Sequence, residues 1–139
     1  MELTEVYTKL AKAIITRAIW DYRTSREYLR KHPGQDDLKK AIAAQRIRQH
    51  KQYEERWKRG LPCVYESRCK EKTTLARVRE TERLLTDAEK FFLSDWFYIL
   101  AEASGEAFRK RLIWDLEWFM RDTALIGEIR RNMEARSWI

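Results

Sequence analysis

Glycine and proline are scarce in this chain, with four and two in 139 residues. So little punctuation is poor material for many short strands and favours long helices joined by few turns. Cysteine is scarcer still. Cys63 and Cys69 are separated by a spacer that does not match the common zinc spacing, and His32 and His50 are the only histidines. Two reduced thiols of a cytosolic protein are the expected state, with one local disulfide as the alternative. No apolar run approaches the roughly 20 residues needed to span a bilayer. The opening stretch, Met1 to Lys12, is amphipathic and charged rather than a secretory leader. An intracellular protein with no membrane partner is expected.

What is plentiful is charge. Lys and Arg number 29 against 22 Asp and Glu, a formal net charge of +7. A surplus of this sign favours a polyanionic partner such as DNA, RNA or a nucleoprotein, although a highly charged soluble surface can also tip positive. With 44% hydrophobic residues the chain is too apolar to be disordered. At this length one domain is the expectation, burying roughly 65–70% of its unfolded surface.

The apolar residues recur at helical steps. Leu3, Val6, Tyr7, Leu10, Ile14, Ala18, Tyr22 and Leu29 mark a first helix from about 3 to 31, with Ile15 and Ile19 on an adjacent stripe. Thr4 is a candidate cap. Pro33 and Gly34 end this helix. A second helix, from about 37 to 59, starts at a cap formed by Asp36 or Asp37. Its apolar side is thin: Leu38, Ala41, Ile42, Gln45, Gln49, Tyr53 and Trp57. Gly60 and Pro62 stop it. The stretch from Gly60 to Lys72 is the least periodic, either a loop or a short irregular piece.

A third helix is expected over about 73 to 85, followed by a boundary near Thr86, where "TDAE" matches a capping box; a continuous helix from Leu84 to Leu93 is the alternative. Ser94 and Asp95 offer a further start that would kink the chain at "SDWF". Helices over about 105 to 122 and 123 to 139 complete the chain. Phe108, Leu112, Trp114, Leu116, Phe119 and Met120 surround much of the first of these, so it is either the most buried element or faces a partner on its second side. Gly127 weakens the last helix, and Trp138 either docks back or frays. No segment alternates with period two. The expected fold is all-α, a single-domain bundle of five or six helices, with a long hairpin over 3–59 and an aromatic-rich helical part over 73–139.

The run "EKFFLSDWFYIL", Glu89 to Leu100, concentrates five aromatic rings. On one continuous helix Phe92, Trp96 and Ile99 align, and Leu93, Phe97 and Leu100 form the neighbouring stripe. Core packing is the expected role, because each ring can bury roughly 150–250 Å². Tyr98 falls outside both stripes and is the candidate for exposure and docking.

The segment "AEKFFLSDWFYILAEASGEAFRKRL", Ala88 to Leu112, resembles part of a group of small uncharacterised proteins from prophages and integrative elements of Gram-positive bacteria. The shared features are a Phe pair, Ser, an acidic or small residue, Trp-Phe, and then Gly-Glu. "AIITRAIWDYR", Ala13 to Arg23, resembles their opening helix. The resemblance covers about a third of the chain. It implies a mobile-element origin and a bacterial cytoplasm, but no chemistry.

The strongest electrostatic feature is "KKAIAAQRIRQHK". Lys39, Lys40, Arg46, Arg48 and Lys51 occur there without an acid, and Arg56, Lys58 and Arg59 extend the series. A helix of this composition suits phosphate contact, with Gln or Arg reaching base edges. A solvated helix face has the same composition. Arg23, Arg26 and Arg30 interleave with Trp20, Tyr22 and Tyr28 as a secondary docking set. A helical hairpin turning at Pro33 would gather Arg30, Lys31, Lys39 and Lys40 at its tip. A helix-turn-helix aligned on Ala101 and Gly105 puts Arg111 where an apolar residue belongs, with Leu112 one step late.

Enzyme motifs mostly fail. There is no phosphate-cradling glycine loop, and no His pair sits at metal spacing. Neither histidine is placed as an evident base for a nucleophile. Asp115 with Glu117, and Glu80 with Glu82, diverge on a helix. Acids distant in sequence leave a metal-dependent nuclease open. The expectation is a non-enzymatic binding protein without metal or cofactor. It contacts DNA, RNA or a nucleoprotein through the basic second helix. The alternative is an anti-CRISPR-like inhibitor of a host protein that uses aromatic anchors. A homo-oligomer burying the apolar surplus of 105–122 is a third reading.

Overall fold

The computed structural model describes residues 3–62, 70–121 and 123–139, and every regular element among them is a helix. The helices are α1 (Leu3–Lys31), α2 (Gln35–Lys58), α3 (Lys70–Leu93), α4 (Asp95–Ala103), α5 (Glu106–Met120) and α6 (Ala124–Ala135). The all-α expectation is met. Cys63 and Cys69, and most of the irregular stretch expected between Gly60 and Lys72, lie outside the described residues. The chain forms two compact units, one of Met1–Glu27 with Arg83–Ile139 and the other of Tyr28–Glu82.

Local chemistry explains most boundaries. α2 begins after Gly34, which offers no side-chain cap; Asp36 and Asp37 fall inside the first turn instead of capping it. There their carboxylates still meet the positive end of the helix dipole. At the other end the Gly60 N–H donates to the Trp57 carbonyl at 3.1 Å and the Leu61 N–H to the Arg56 carbonyl at 2.9 Å. This paired closure needs a left-handed residue at the position after the cap, and Gly60 supplies it at φ 71°. Thr4 lies inside α1, where its carbonyl accepts from the Thr8 hydroxyl at 2.9 Å.

The boundary expected at Thr86 is absent, since α3 runs through it to Leu93. The break comes at Ser94, whose backbone is extended. The Ser94 hydroxyl oxygen accepts from the Phe97 N–H at 3.3 Å and its O–H donates to the Phe91 carbonyl at 2.6 Å. Ser94 thus closes one helix and opens the next.

That break organises the first unit. Residues five apart on a continuous helix point about 140° away from each other. With the chain re-aimed at Ser94, Phe92 and Phe97 both turn inward and meet edge to face at 5.3 Å. Phe97 also meets Phe91 at 5.6 Å and Tyr98 at 4.9 Å, and Phe92 meets Tyr22 at 6.1 Å. Edge-to-face pairs of this kind contribute about 0.5–1.5 kcal/mol each beyond their buried area. Leu112, Leu116 and Met120 from α5, and Ile126, Ile129 and Met133 from α6, complete the same core.

Two expectations are corrected in this unit. Tyr98 is 1% exposed, whereas Trp96 and Ile99 are bare. Restarting the helix at Ser94 resets its phase, so the stripes drawn on one continuous helix do not hold. On α1 the packing face runs through Ala11, Ile15, Ala18, Tyr22 and Ser25 in alternating steps of four and three. Ile14 and Ile19 pack beside this line on either side, so the face is broad over that stretch, as expected. Leu3, Val6 and Leu10 lie off that line, and Tyr7 lies at its end, so all four are exposed.

α5 is not the most buried element either. It buries Leu112, Leu116 and Met120, while Trp114 and Trp118 stand in solvent, stacked at 6.0 Å and 7°. Trp138 docks back, its ring 5.4 Å from Tyr98 and its Nε1–H donating to Glu102.

The second unit has a thin core. Ile42, Leu75 and Val78 are its buried apolar side chains among the described residues. Gln35, at the start of α2, donates to Glu82, near the end of the unit's share of α3. The two helices therefore run antiparallel within the unit. His32 is held by stacking on Tyr28 at 4.2 Å, with Nδ1 2.9 Å from the Tyr28 carbonyl oxygen.

Candidate nucleic-acid interface

Antiparallel packing of α2 on α3 leaves a groove of about 340 Å³ within the second unit. Ile42, Ala43, Leu75 and Ala76 form its apolar lining, and Lys39, Arg46, Lys72 and Arg79 supply four cations. Among the described residues no carboxylate lines it. All four basic residues are exposed, and among the described residues none of them has an ion pair or side-chain hydrogen bond.

The groove is built from one pattern used twice. Lys39, Ile42, Ala43 and Arg46 have the same spacing as Lys72, Leu75, Ala76 and Arg79. The basic residues at each end are seven apart, about two turns or 10 Å along a helix. The apolar residues between them sit three and four steps in, on the same face. The alanines keep the floor open. Antiparallel packing turns one copy against the other, so that Lys39 lies across from Arg79 and Arg46 across from Lys72. An apolar floor strengthens charge interactions beside it, because water is excluded from one side.

Of the eight cations expected to form one basic rod, only Lys39 and Arg46 line the groove. Lys40, Lys51 and Lys58 are exposed on another stripe of α2, and Arg48 and Arg59 are exposed on further faces. Arg56 is half-buried and donates from Nη1 to the Pro62 carbonyl at 3.3 Å. Lys72 and Arg79 were missed because α3 reads as a mixed-charge helix. The signal that finds them is the repeated pattern, together with the absence of acids at the groove-facing positions.

The secondary docking set is dispersed. Arg30 is exposed in the second unit but does not line the groove, so the cluster expected around Pro33 contributes only Lys39. Arg23 and Arg26 belong to the first unit. Arg26 donates from Nη1 to the Tyr22 hydroxyl at 3.3 Å. The Arg23 guanidinium lies 3.9 Å from the Phe119 ring centre, beside a cleft of about 470 Å³ that also holds Trp20, Arg111 and Asp115.

Tyr98, expected to be exposed for docking, is buried. The Arg136 guanidinium lies 4.2 Å from its ring, and its buried hydroxyl has no partner in hydrogen-bond geometry among the described residues. Burial holds the phenol above its ordinary value, while nearby Asn132 and Arg136 oppose that shift only in part.

Among the described residues no helix is long and apolar enough to cross a membrane, and no group of three or more His, Cys, Asp or Glu is placed to hold a metal ion. No protein-family model, curated protein or solved structure matches the chain.

Proposed function

We propose that this is a non-enzymatic nucleic-acid-binding protein whose contact surface is the basic groove between α2 and α3. The carrying observation is the convergence of Lys39, Arg46, Lys72 and Arg79 from two helices on one groove that no carboxylate lines among the described residues. Lone cations scattered on a solvated surface would not need matched spacing on both walls. Polyanion binding gains from such a set because phosphate contacts release condensed counterions. The mobile-element origin implied by the resemblance is a setting in which DNA, RNA and nucleoproteins are the usual partners.

A mobility-shift assay across a salt series tests this reading. With about four phosphate contacts, log affinity should fall against log salt with a slope of about −3. Reversing two groove cations, Lys39→Glu with Arg79→Glu, should flatten the slope by about half and leave the helical circular dichroism unchanged. Salt-insensitive binding, or none at all, would sink the proposal.

One observation favours a second reading, that of an inhibitor docking on a host protein. Trp114 and Trp118 stand stacked in solvent at 62% and 55% exposure, and exposed tryptophans are the commonest anchors of protein interfaces. A purified complex that survives nuclease treatment and is lost in Trp114→Ala would favour this reading over the first.

A further inference from the structure

We infer that the groove takes single-stranded nucleic acid, with Tyr53 and Trp57 as the surface on which its unpaired bases stack; this rests on the groove reading above and narrows it. Lys39, Arg46 and Tyr53 follow one another at steps of seven, and Trp57 is four further on. Seven residues drift only about 20° around a helix, so these four residues occupy one stripe of α2. The stripe begins with the cations that line the groove and continues into two bare rings. Trp57 is 76% exposed and Tyr53 51%. Among the described residues neither ring contacts another ring or a guanidinium.

Two features of this surface call for unpaired bases. The groove floor is apolar, with Ala43 and Ala76 exposed over the buried Ile42 and Leu75, and offers nothing to a phosphate. It matches the face of a base or the carbon side of a sugar. Exposed aromatic rings in line with cations are the other half of the same recognition: the charges track the backbone and the rings stack on bases of any sequence. A closed duplex presents phosphates and base edges, with its base faces already stacked on one another. It would use the four cations and leave both the floor and the rings idle. Thr16, Trp20 and the rest of the first unit's cleft offer no comparable series, since Asp115 stands there among the arginines.

The test is fluorescence anisotropy with labelled oligodeoxythymidine, oligouridine and a blunt DNA hairpin. The intact chain should bind at least one of the two single strands about tenfold or more tighter than the hairpin. Trp57→Ala should weaken single-strand binding by about tenfold, Trp57→Phe by much less, and neither should change hairpin binding. Tyr53→Ala should act in the same direction. Circular dichroism keeps these comparisons to folded variants. Equal affinity for hairpin and single strands, or a Trp57→Ala variant that binds oligodeoxythymidine and oligouridine as the parent does, would overturn the inference while leaving the groove as a nucleic-acid site. Failure of all three probes to bind would overturn the groove reading itself.

Discussion

The two units use the same building material in opposite ways. In Met1–Glu27 with Arg83–Ile139, five helices contribute to a core in which Tyr22, Phe92, Phe97 and Tyr98 meet ring to ring. In Tyr28–Glu82, the apolar side chains buried among the described residues are Ile42, Leu75 and Val78. The aromatic residues of α2, Tyr53 and Trp57, are left bare there, alongside a series of unpaired cations. A helix face can be spent on packing or on display. The first unit packs, and the second keeps enough apolar contact to hold α2 against α3 and displays the rest.

The sharpest way to break this contrast is to attack each core. Ile15→Ala should cost the first unit about 4 kcal/mol, in the upper part of the range for such a truncation, read as a shift in denaturant midpoint. Ile42→Ala in the second unit should cost only about 2 kcal/mol. Comparable losses at the two sites would mean that the second core is not thin.

The display side is tested by placing the same charge change on and off the groove. Lys39→Glu with Arg46→Glu should weaken binding to a polyanion about tenfold or more, with a matching loss of salt slope. Arg48→Glu with Lys51→Glu, on other faces of the same helix, should have a clearly smaller effect. Equal losses would restore the simple basic rod.

Ser94→Ala removes the hydroxyl that accepts from the Phe97 N–H and should cost about 1 kcal/mol, measured by thermal melting. The smallest effect concerns Tyr98. The folded chain holds the phenol proton more tightly than the unfolded chain does. Its contribution is therefore full below the ordinary value of 10.0 and declines as pH rises past it. Tyr98→Phe should be nearly neutral at pH 7, because among the described residues only Asn132 is near the hydroxyl it removes and none meets hydrogen-bond geometry with it, and should blunt the alkaline loss. A variant that melts with the parent's alkaline profile would assign that loss to another group.

Much of the architecture was legible because it is local. The span of α1, the all-α class and the fresh start at Ser94 follow from step patterns, caps and the shortage of glycine and proline. What was misread depended on phase or on partners distant in sequence. Tyr98 was placed outside because one continuous helix was drawn through Ser94, and the real break shifts every later residue around the axis. Leu3, Val6 and Leu10 looked like core because amphipathic spacing says which residues share a face, not whether anything covers it. The groove needed α3 beside α2, which no local signal announces. Its pattern stands in both helices, but eight residues with four matches pass unnoticed until packing sets them face to face.

That doubled pattern has a directional consequence. Because α2 and α3 carry the same arrangement and run in opposite senses, the four-cation trough looks alike from either end. A strand lying in it alone could be threaded 5′ to 3′ or the reverse with equal ease. Tyr53 and Trp57 extend from one mouth only, past Arg46, so these two rings would have to supply any preference for strand polarity.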